Sequence, residues 1–250
     1  MSGMFDFTGR RVLVTGASRG LGLEITRAFA DAGATVMLNG RDRAALDAAC
    51  RSISSENVHA LPGDLAADAG TVVADAVAIA GGLDVLVHAA GIRDRRPTPD
   101  LDGAAFAAIV ETNLNASYRL ARAALPHLLR SDAGRLIFVT SIAASIARAP
   151  DPAYTASKGG LDALTRSLAV EFGADNLTVN AIAPGWFATE PNRYLSEDKT
   201  VQAFVDVRIP LKRWGRPEEL APAALFLAAP ASSFVNGVTL TVDGGMSAQM

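Results

Sequence analysis

Seven short apolar runs alternate with longer amphipathic or alanine-rich segments, and this rhythm constrains the fold more than any other feature of the chain. The runs are Arg11–Thr15, Thr35–Leu38, Val58–Leu61, Val85–His88, Arg135–Thr140, Thr178–Ile182 and Thr239–Val242. Runs that stay apolar along their length belong in a parallel sheet buried on both faces. Helices are expected between them, over Leu21–Asp31, Arg43–Ser52, Ala69–Ala80, Asp102–Leu129, Ala153–Phe172 and Glu218–Ala228. Strand–helix alternation from end to end predicts an α/β fold: a doubly wound parallel sheet of about seven strands, Rossmann-type. No linker composition, repeat or low-complexity stretch divides the 250 residues, so a single domain is expected. The stretch 188–210 breaks the alternation between the sixth and seventh strands. Insertions beyond a strand's carboxyl end tend to form the binding side of such sheets, so a substrate lid is expected here; an ordinary surface excursion is the alternative.

Charge and composition narrow the function classes. The balance of 23 basic against 26 acidic residues gives a net charge of −3, with no long basic run. Nucleic acid and anionic membrane surfaces are therefore not the expected partners. The apolar stretch Ala221–Ala229 is too short to span a bilayer, and the opening residues lack a signal peptide's basic start and apolar core. A lone cysteine, Cys50, excludes an internal disulfide and suits a reducing cytoplasm. His59, His88 and His127 are scattered without metal-ligand spacing, so no metal site is expected.

The first strand runs directly into Gly16, Ala17, Ser18, Arg19, Gly20, Leu21 and Gly22, which open onto a helix. Glycines there allow a tight turn and close approach of a pyrophosphate, which then sits on the helix N-terminus. The second strand ends in Asn39, Gly40 and Arg41, where a carboxylate would bind a ribose 2′-hydroxyl; Asp42 is better used as a helix N-cap. Arg19 and Arg41 together suit a 2′-phosphate, so NADP(H) is expected in preference to NAD(H).

Tyr154 and Lys158 lie one helical turn apart on one face, with Ser141 thirteen residues upstream of the tyrosine. A free phenol, with a pKa of about 10, is roughly 0.1% ionised at pH 7. A nearby ammonium favours the phenolate and makes the tyrosine a usable general acid/base. Ser141 can hydrogen-bond a substrate oxygen and hold it against that tyrosine.

Together these residues resemble the short-chain dehydrogenase/reductase family over essentially the whole chain. The glycine turn matches the family's T-G-x-x-x-G-x-G, and Ser141, Tyr154 and Lys158 match its catalytic serine and Y-x-x-x-K. Asn113 matches the asparagine in the long fourth helix. Asp64, followed by Leu65, is similar to the residue that contacts adenine. Pro184, Gly185 and Thr189 match a P-G-x-x-x-T loop whose threonine binds the nicotinamide carboxamide. Ala90 and Gly91 match the end of the motif N-N-A-G, of which the first two positions are His88 and Ala89 here. His88 is expected to replace the missing asparagine as a packing or hydrogen-bonding group, not as a base. The resemblance implies hydride transfer between a nicotinamide and an alcohol or ketone carbon. Tyr154 would exchange the proton, Ser141 would orient the oxygen, and Lys158 would lower the tyrosine pKa and bind the ribose. Asn113 would hold a proton-relaying water. It also implies a homotetramer packed through the fourth and fifth helices.

Within the family, the stretch from Ala90 to Pro97 is similar to gluconate 5-dehydrogenases (5-keto-gluconate reductases). Arg93, Arg95 and Arg96 there would bind a sugar-acid carboxylate; the alternative is a solvated loop with Asp94 and Asp100 as partners. A second substrate class is that of the 3-oxoacyl-(acyl carrier protein) reductases. Asp132 and Asp175, near the ends of the fourth and fifth helices, would oppose an acidic carrier protein. A non-catalytic NADPH-binding sensor or scaffold is the alternative from another class, and the complete Ser–Tyr–Lys–Asn set argues against it.

Overall fold

The computed structural model describes Gly3 and residues 5–249. Its strands are β1 (Arg11–Thr15), β2 (Thr35–Gly40), β3 (Val58–Pro62), β4 (Val85–His88), β5 (Gly134–Val139), β6 (Leu177–Pro184) and β7 (Thr239–Val242). All pair in parallel into one seven-stranded sheet of order β3-β2-β1-β4-β5-β6-β7. The helices are α1 (Gly20–Asp31), α2 (Arg43–Arg51), α3 (Leu65–Ala80), α4 (Gly103–Val110), α5 (Ala116–Leu128), α6 (Pro152–Phe172), α7 (Arg193–Ser196), α8 (Lys199–Arg208) and α9 (Ala221–Ala228).

Alternate side chains of each strand point to opposite faces, so each face has its own core. Val12, Val14, Val36, Leu38 and Val87 meet Ile25 and Phe29 of α1, Leu46 of α2 and Leu227 of α9. Leu13, Met37, Leu86, Leu136 and Phe138 face α3, α5 and α6, through Val73, Leu120 and Leu161. The expected doubly wound sheet is therefore present, with three helices on each face.

Two helix boundaries differ from expectation. The third helix begins at Leu65, not Ala69, because Asp64 caps it by accepting from Ala66 N at 3.0 Å. Asp68, at φ −153° and ψ 83°, breaks the first turn and conceals it from a periodicity argument. The expected continuous helix 102–129 is interrupted between α4 and α5 by a widened π turn over Glu111–Asn115. Such turns often accompany functional sites, and this one contains Asn113.

Sheet order reverses between β1 and β4, the place where ligands bind in doubly wound sheets. A side chain at Gly16 would put its Cβ 2.7 Å from Ala90 N and Cα, so the two strand ends touch through backbone there. Gly16 also has φ +64°, a conformation glycine adopts without cost.

Candidate active site

The glycine turn is built so that backbone, not side chains, meets a ligand. A Cβ on Gly22 would lie 2.3 Å from Gly16 O, so only glycine lets α1 start this close to β1. Gly20 has φ +59°, and its missing Cβ would sit 3.5 Å from Thr189 Cγ2. The loop after β6 is thus folded back onto the turn, joining Thr189 to the nucleotide end. Leu21 packs partly against the core, Leu65 is buried, and both can serve a ligand only through backbone. Ser18 is half-buried beside Gly40, while Arg19, Arg41 and Asp64 are exposed around the β1–β3 ends. Asn39 is buried and donates to Leu61 O and Gly63 O at 3.1 and 3.2 Å, so it braces the β2–β3 crevice. Asp42 caps α2, accepting from Ala45 N at 3.1 Å, as expected. An unencumbered helix N-terminus and a cradle that a Cβ would fill fit a nicotinamide dinucleotide, with two open guanidinium groups beside them.

The second half of the site lies at the carboxyl ends of β4, β5 and β6. Ser141 follows β5 and caps a short 3₁₀ turn, accepting from Ala143 N at 3.1 Å. Tyr154 and Lys158 sit on the first turns of α6. Lys158 Nζ stands 5.8 Å from the tyrosine ring centroid and donates to Val139 O at 2.8 Å. Gly91 completes the group: a Cβ there would be 3.2 Å from Asn113 Oδ1 and 3.5 Å from Lys158 Nζ. Gly160, whose Cβ would strike Leu114 Cδ2 at 2.7 Å, lets α6 press against the π turn. Ser141, Tyr154, Lys158 and Asn113 are thus gathered from three segments into one place.

The electrostatics partly differ from expectation. Burial raises the Tyr154 phenol, while a hydrogen bond with Ser141 and the nearby Arg93 pull it down. Lys158 is not the leading influence on it. The lysine is itself desolvated, which lowers its pKa to about 8, with Asp162 drawing it back up. Asn113 is also more committed than a water holder needs to be. Its Oδ1 accepts from Ile92 N at 2.8 Å, and its Nδ2 donates to Ile92 O and Ser157 Oγ at 2.8 and 3.0 Å. The side chain clamps the loop after β4 and has little capacity left.

His88 is fully enclosed and bonded at both nitrogens, with Nδ1 2.7 Å from Thr15 Oγ1 and Nε2 2.7 Å from Ser117 Oγ. Ser117 spends its own proton on Asn113 O at 2.8 Å, so His88 Nε2–H donates to it and Nδ1 accepts from Thr15. Burial, helped by the Lys158 charge, lowers the imidazole pKa to about 3. The histidine is a neutral strut between β1 and α5, whose Ser117 in turn bonds the π turn.

The arginines after β4 do not act as one cluster. Arg96 is held by Asp94, at 2.8 Å from Nε, and by Asp100 O. Arg95 reaches Tyr194 Oη of α7 at 3.2 Å. Arg93 pairs with the buried Asp151, 3.0 Å from Nε to Oδ1, and lies over the Tyr154 ring at 4.8 Å. A cavity of about 380 Å³ opens beside Ser141, with Arg93, Arg148 and Arg208 in its wall. The stretch 188–210 forms α7 and α8 and supplies Phe204 and Arg208 to that wall. Phe204 stacks on Trp186 at 5.1 Å, and Val205 and Ile209 pack on Ile142 and Met246. Trp186, Phe204 and Arg148 escaped the sequence reading. A signal for Arg148 was present, since its loop joins Ser141 to Tyr154 and has both ends in the site.

The profile of the enoyl-(acyl carrier protein) reductase family matches residues 16–247, nearly the whole chain. The chain belongs to the short-chain dehydrogenase/reductase family. It is 37% identical to a gluconate 5-dehydrogenase of Gluconobacter oxydans, over 99% of this chain and 98% of that one. It is 33% identical to the 5-keto-D-gluconate 5-reductase of Escherichia coli K12, covering 98% of each. A crystal structure of a gluconate 5-dehydrogenase from Burkholderia cenocepacia, in complex with NADP and tartrate, superposes with a TM-score of 0.92. That protein is 34% identical, and the match covers 99% of this chain and 98% of that one. Membership in this family makes the protein an NAD(P)-dependent dehydrogenase/reductase acting on the CH–OH group of small alcohols or on the carbonyl of the matching ketones. Among the described residues no helix is long and apolar enough to cross a membrane, and no cluster of His, Cys, Asp or Glu is arranged to hold a metal ion.

Proposed function

We propose that this enzyme uses NADP(H) to interconvert gluconate and 5-keto-gluconate. The observation that carries the reading is the arginine-lined cavity beside Ser141, which suits a polar substrate with an acid group. The names of the relatives agree with it. The NADP(H) preference rests on exposed Arg19 and Arg41 at a β2 end without a carboxylate. Gly16, Ser18, Gly20, Leu21 and Gly22 hold the pyrophosphate side, Asp64 and Leu65 the adenine side. Ala90, Gly91, Pro184, Gly185 and Thr189 surround the nicotinamide half.

The bound nicotinamide supplies or accepts the hydride. In reduction, Tyr154 donates its proton to the substrate oxygen, which Ser141 holds by a hydrogen bond; oxidation reverses the transfer. Lys158, cationic at pH 7 with a pKa of about 8, stabilises the phenolate left behind and returns a proton to it. Asn113 fixes the loop carrying Gly91 and Ile92. Residues 188–210 act as a lid, tied down by the Arg95–Tyr194 bond. Exposed Tyr118 on α5 and Val170 on α6 suit burial against a second subunit, in a homotetramer. The single cysteine accords with a cytoplasmic location.

One pair of assays tests the substrate: NADPH absorbance with 5-keto-gluconate and, separately, with an acetoacetyl thioester. Rapid oxidation is expected with the keto acid, and oxidation with the thioester alone would replace the reading by an oxoacyl reductase. Asp132 counts less against that rival than its charge suggests, because it pairs with Arg10 at the surface.

A further inference from the structure

The cavity beside Ser141 carries more positive charge than its wall neutralises. Arg93, Arg148 and Arg208 line it, and no carboxylate does. Arg93 is already engaged by Asp151 through two nitrogens. Arg148 has no carboxylate partner among the described residues; its guanidinium carbon lies 4.6 Å from the Trp186 ring centre and 5.6 Å from that of Phe204. Those rings are stacked at an interplanar angle of 25°, and Trp214 backs Trp186 at 4.9 Å, so the platform is braced. A guanidinium over an aromatic face keeps its in-plane N–H donors free, in the fork that matches a carboxylate. Burial and the charges of Arg93 and Arg95 disfavour the Arg148 cation, a strain that an arriving anion relieves.

We propose that Arg148, laid over the Trp186–Phe204 platform, is the carboxylate anchor of the substrate cavity, and that it, not the Arg93–Arg96 run, selects an anionic substrate. Arg148 and Ser141 open onto the same cavity, so a small molecule can be held by its acid group while its reacting oxygen meets Ser141. Arg148 is exposed and, apart from the two rings, makes no hydrogen bond or ion pair to another side chain among the described residues, so its removal is expected to leave the fold intact. The assignment rests on the sugar-acid reading above but fails separately from it.

Calorimetric titration of the NADP⁺-loaded protein with tartrate, a small hydroxy diacid, tests the anchor, with erythritol as the neutral four-carbon control. Arg148→Met is expected to weaken tartrate by about tenfold or more, the loss of a charge-assisted hydrogen-bonded pair. Arg148→Lys recovers only part of it, because an ammonium cannot bind a carboxylate bidentately. NADPH affinity stays constant, and KM for 5-keto-gluconate rises far more than kcat falls. Equal tartrate affinity in wild type and Arg148→Met overturns the assignment. So does a wild type that prefers inorganic phosphate to tartrate, or binds erythritol as well as tartrate. Tartrate binding lost with Arg148, in an enzyme that leaves 5-keto-gluconate untouched, keeps the anchor and removes the sugar acid. Unchanged turnover and KM for that substrate in Arg148→Met keeps the substrate and removes the anchor.

Discussion

The two ends of the parallel sheet use arginine in opposite ways. At the amino ends, Arg11 and Arg10 are bound to carboxylates: Arg11 makes two 2.8 Å bonds to Asp84, which Ser131 also reaches at 2.7 Å, and Arg10 pairs with Asp132, while buried Arg135 meets only the carbonyl oxygens of Gly134 and Ala229. At the carboxyl ends, Arg19 and Arg41 stand open and Arg148 rests on aromatic rings. Arg10 and Arg11, like Arg93 and Arg96 at the other end, are consumed by carboxylates within the fold, whereas Arg19, Arg41 and Arg148 have no carboxylate partner among the described residues. Substitutions at one end should therefore change stability, and at the other function.

The largest effect should come from Tyr154→Phe. Loss of a positioned general acid is expected to lower turnover about 100- to 10,000-fold, with NADPH binding by fluorescence titration unchanged; retained turnover would remove the tyrosine from the chemistry. His88 tests the division from the other side, since it lies at the functional end yet is fully bonded. Folded His88 takes a proton only near pH 3, while an unfolded imidazole takes one near 6.5. The unfolded chain thus binds more protons through that window, and stability falls as the pH drops from about 6.5 toward 3. By pH 4 the loss is about 3 kcal/mol, and His88→Asn should lack it in urea melts between pH 7 and 4. The same acid slope in both proteins would mean that the imidazole titrates normally.

At the amino end, Asp84→Asn should cost about 1.5–3 kcal/mol in denaturant unfolding, with Kd for NADPH and KM untouched. Burial raises the Asp84 carboxyl, but the bonds from Arg11 and Ser131 together prevail and hold it below the usual range. A change in KM without a loss of stability would erase the contrast between the ends. Last, Arg19→Ala with Arg41→Ala should weaken NADPH about tenfold while NADH changes little, read from their Kd values. An equal loss for both cofactors would show that the pair does not read the 2′-phosphate.

The inner strands were legible because a buried parallel strand must be largely apolar along its length, whereas the edge strands β3 and β7, only partly buried and carrying His59, Thr239 and Thr241, were legible from their short β-branched runs. Gly16, Gly20 and Gly22 were legible for a related reason: contacts of 2.3–2.7 Å to backbone at two of them, and positive φ at two, leave no other residue type suitable. The Asp64 cap was visible as a residue but not as a helix start, because the non-helical Asp68 breaks the pattern after one turn. The π turn at Asn113 was hidden altogether. Its five residues look helical in sequence, and only the packing of Gly160 on Leu114 and the Ile92 bonds to Asn113 show why the helix widens there.

Local backbone demands are written in single residues, so the sequence by itself determined the sheet, the glycine turn and the Ser141–Tyr154–Lys158 set, whose spacing one strand end and one helix face enforce. Which arginines are free was settled only by tertiary structure. Arg93 and Asp151 are 58 positions apart and Arg148 lies far along the chain from Phe204, yet the fold brings the start of α6 to the loop after β4, and α8 to the loop after β5. Whether a guanidinium is neutralised or left open depends on those long-range partners, and composition and spacing contain no trace of them.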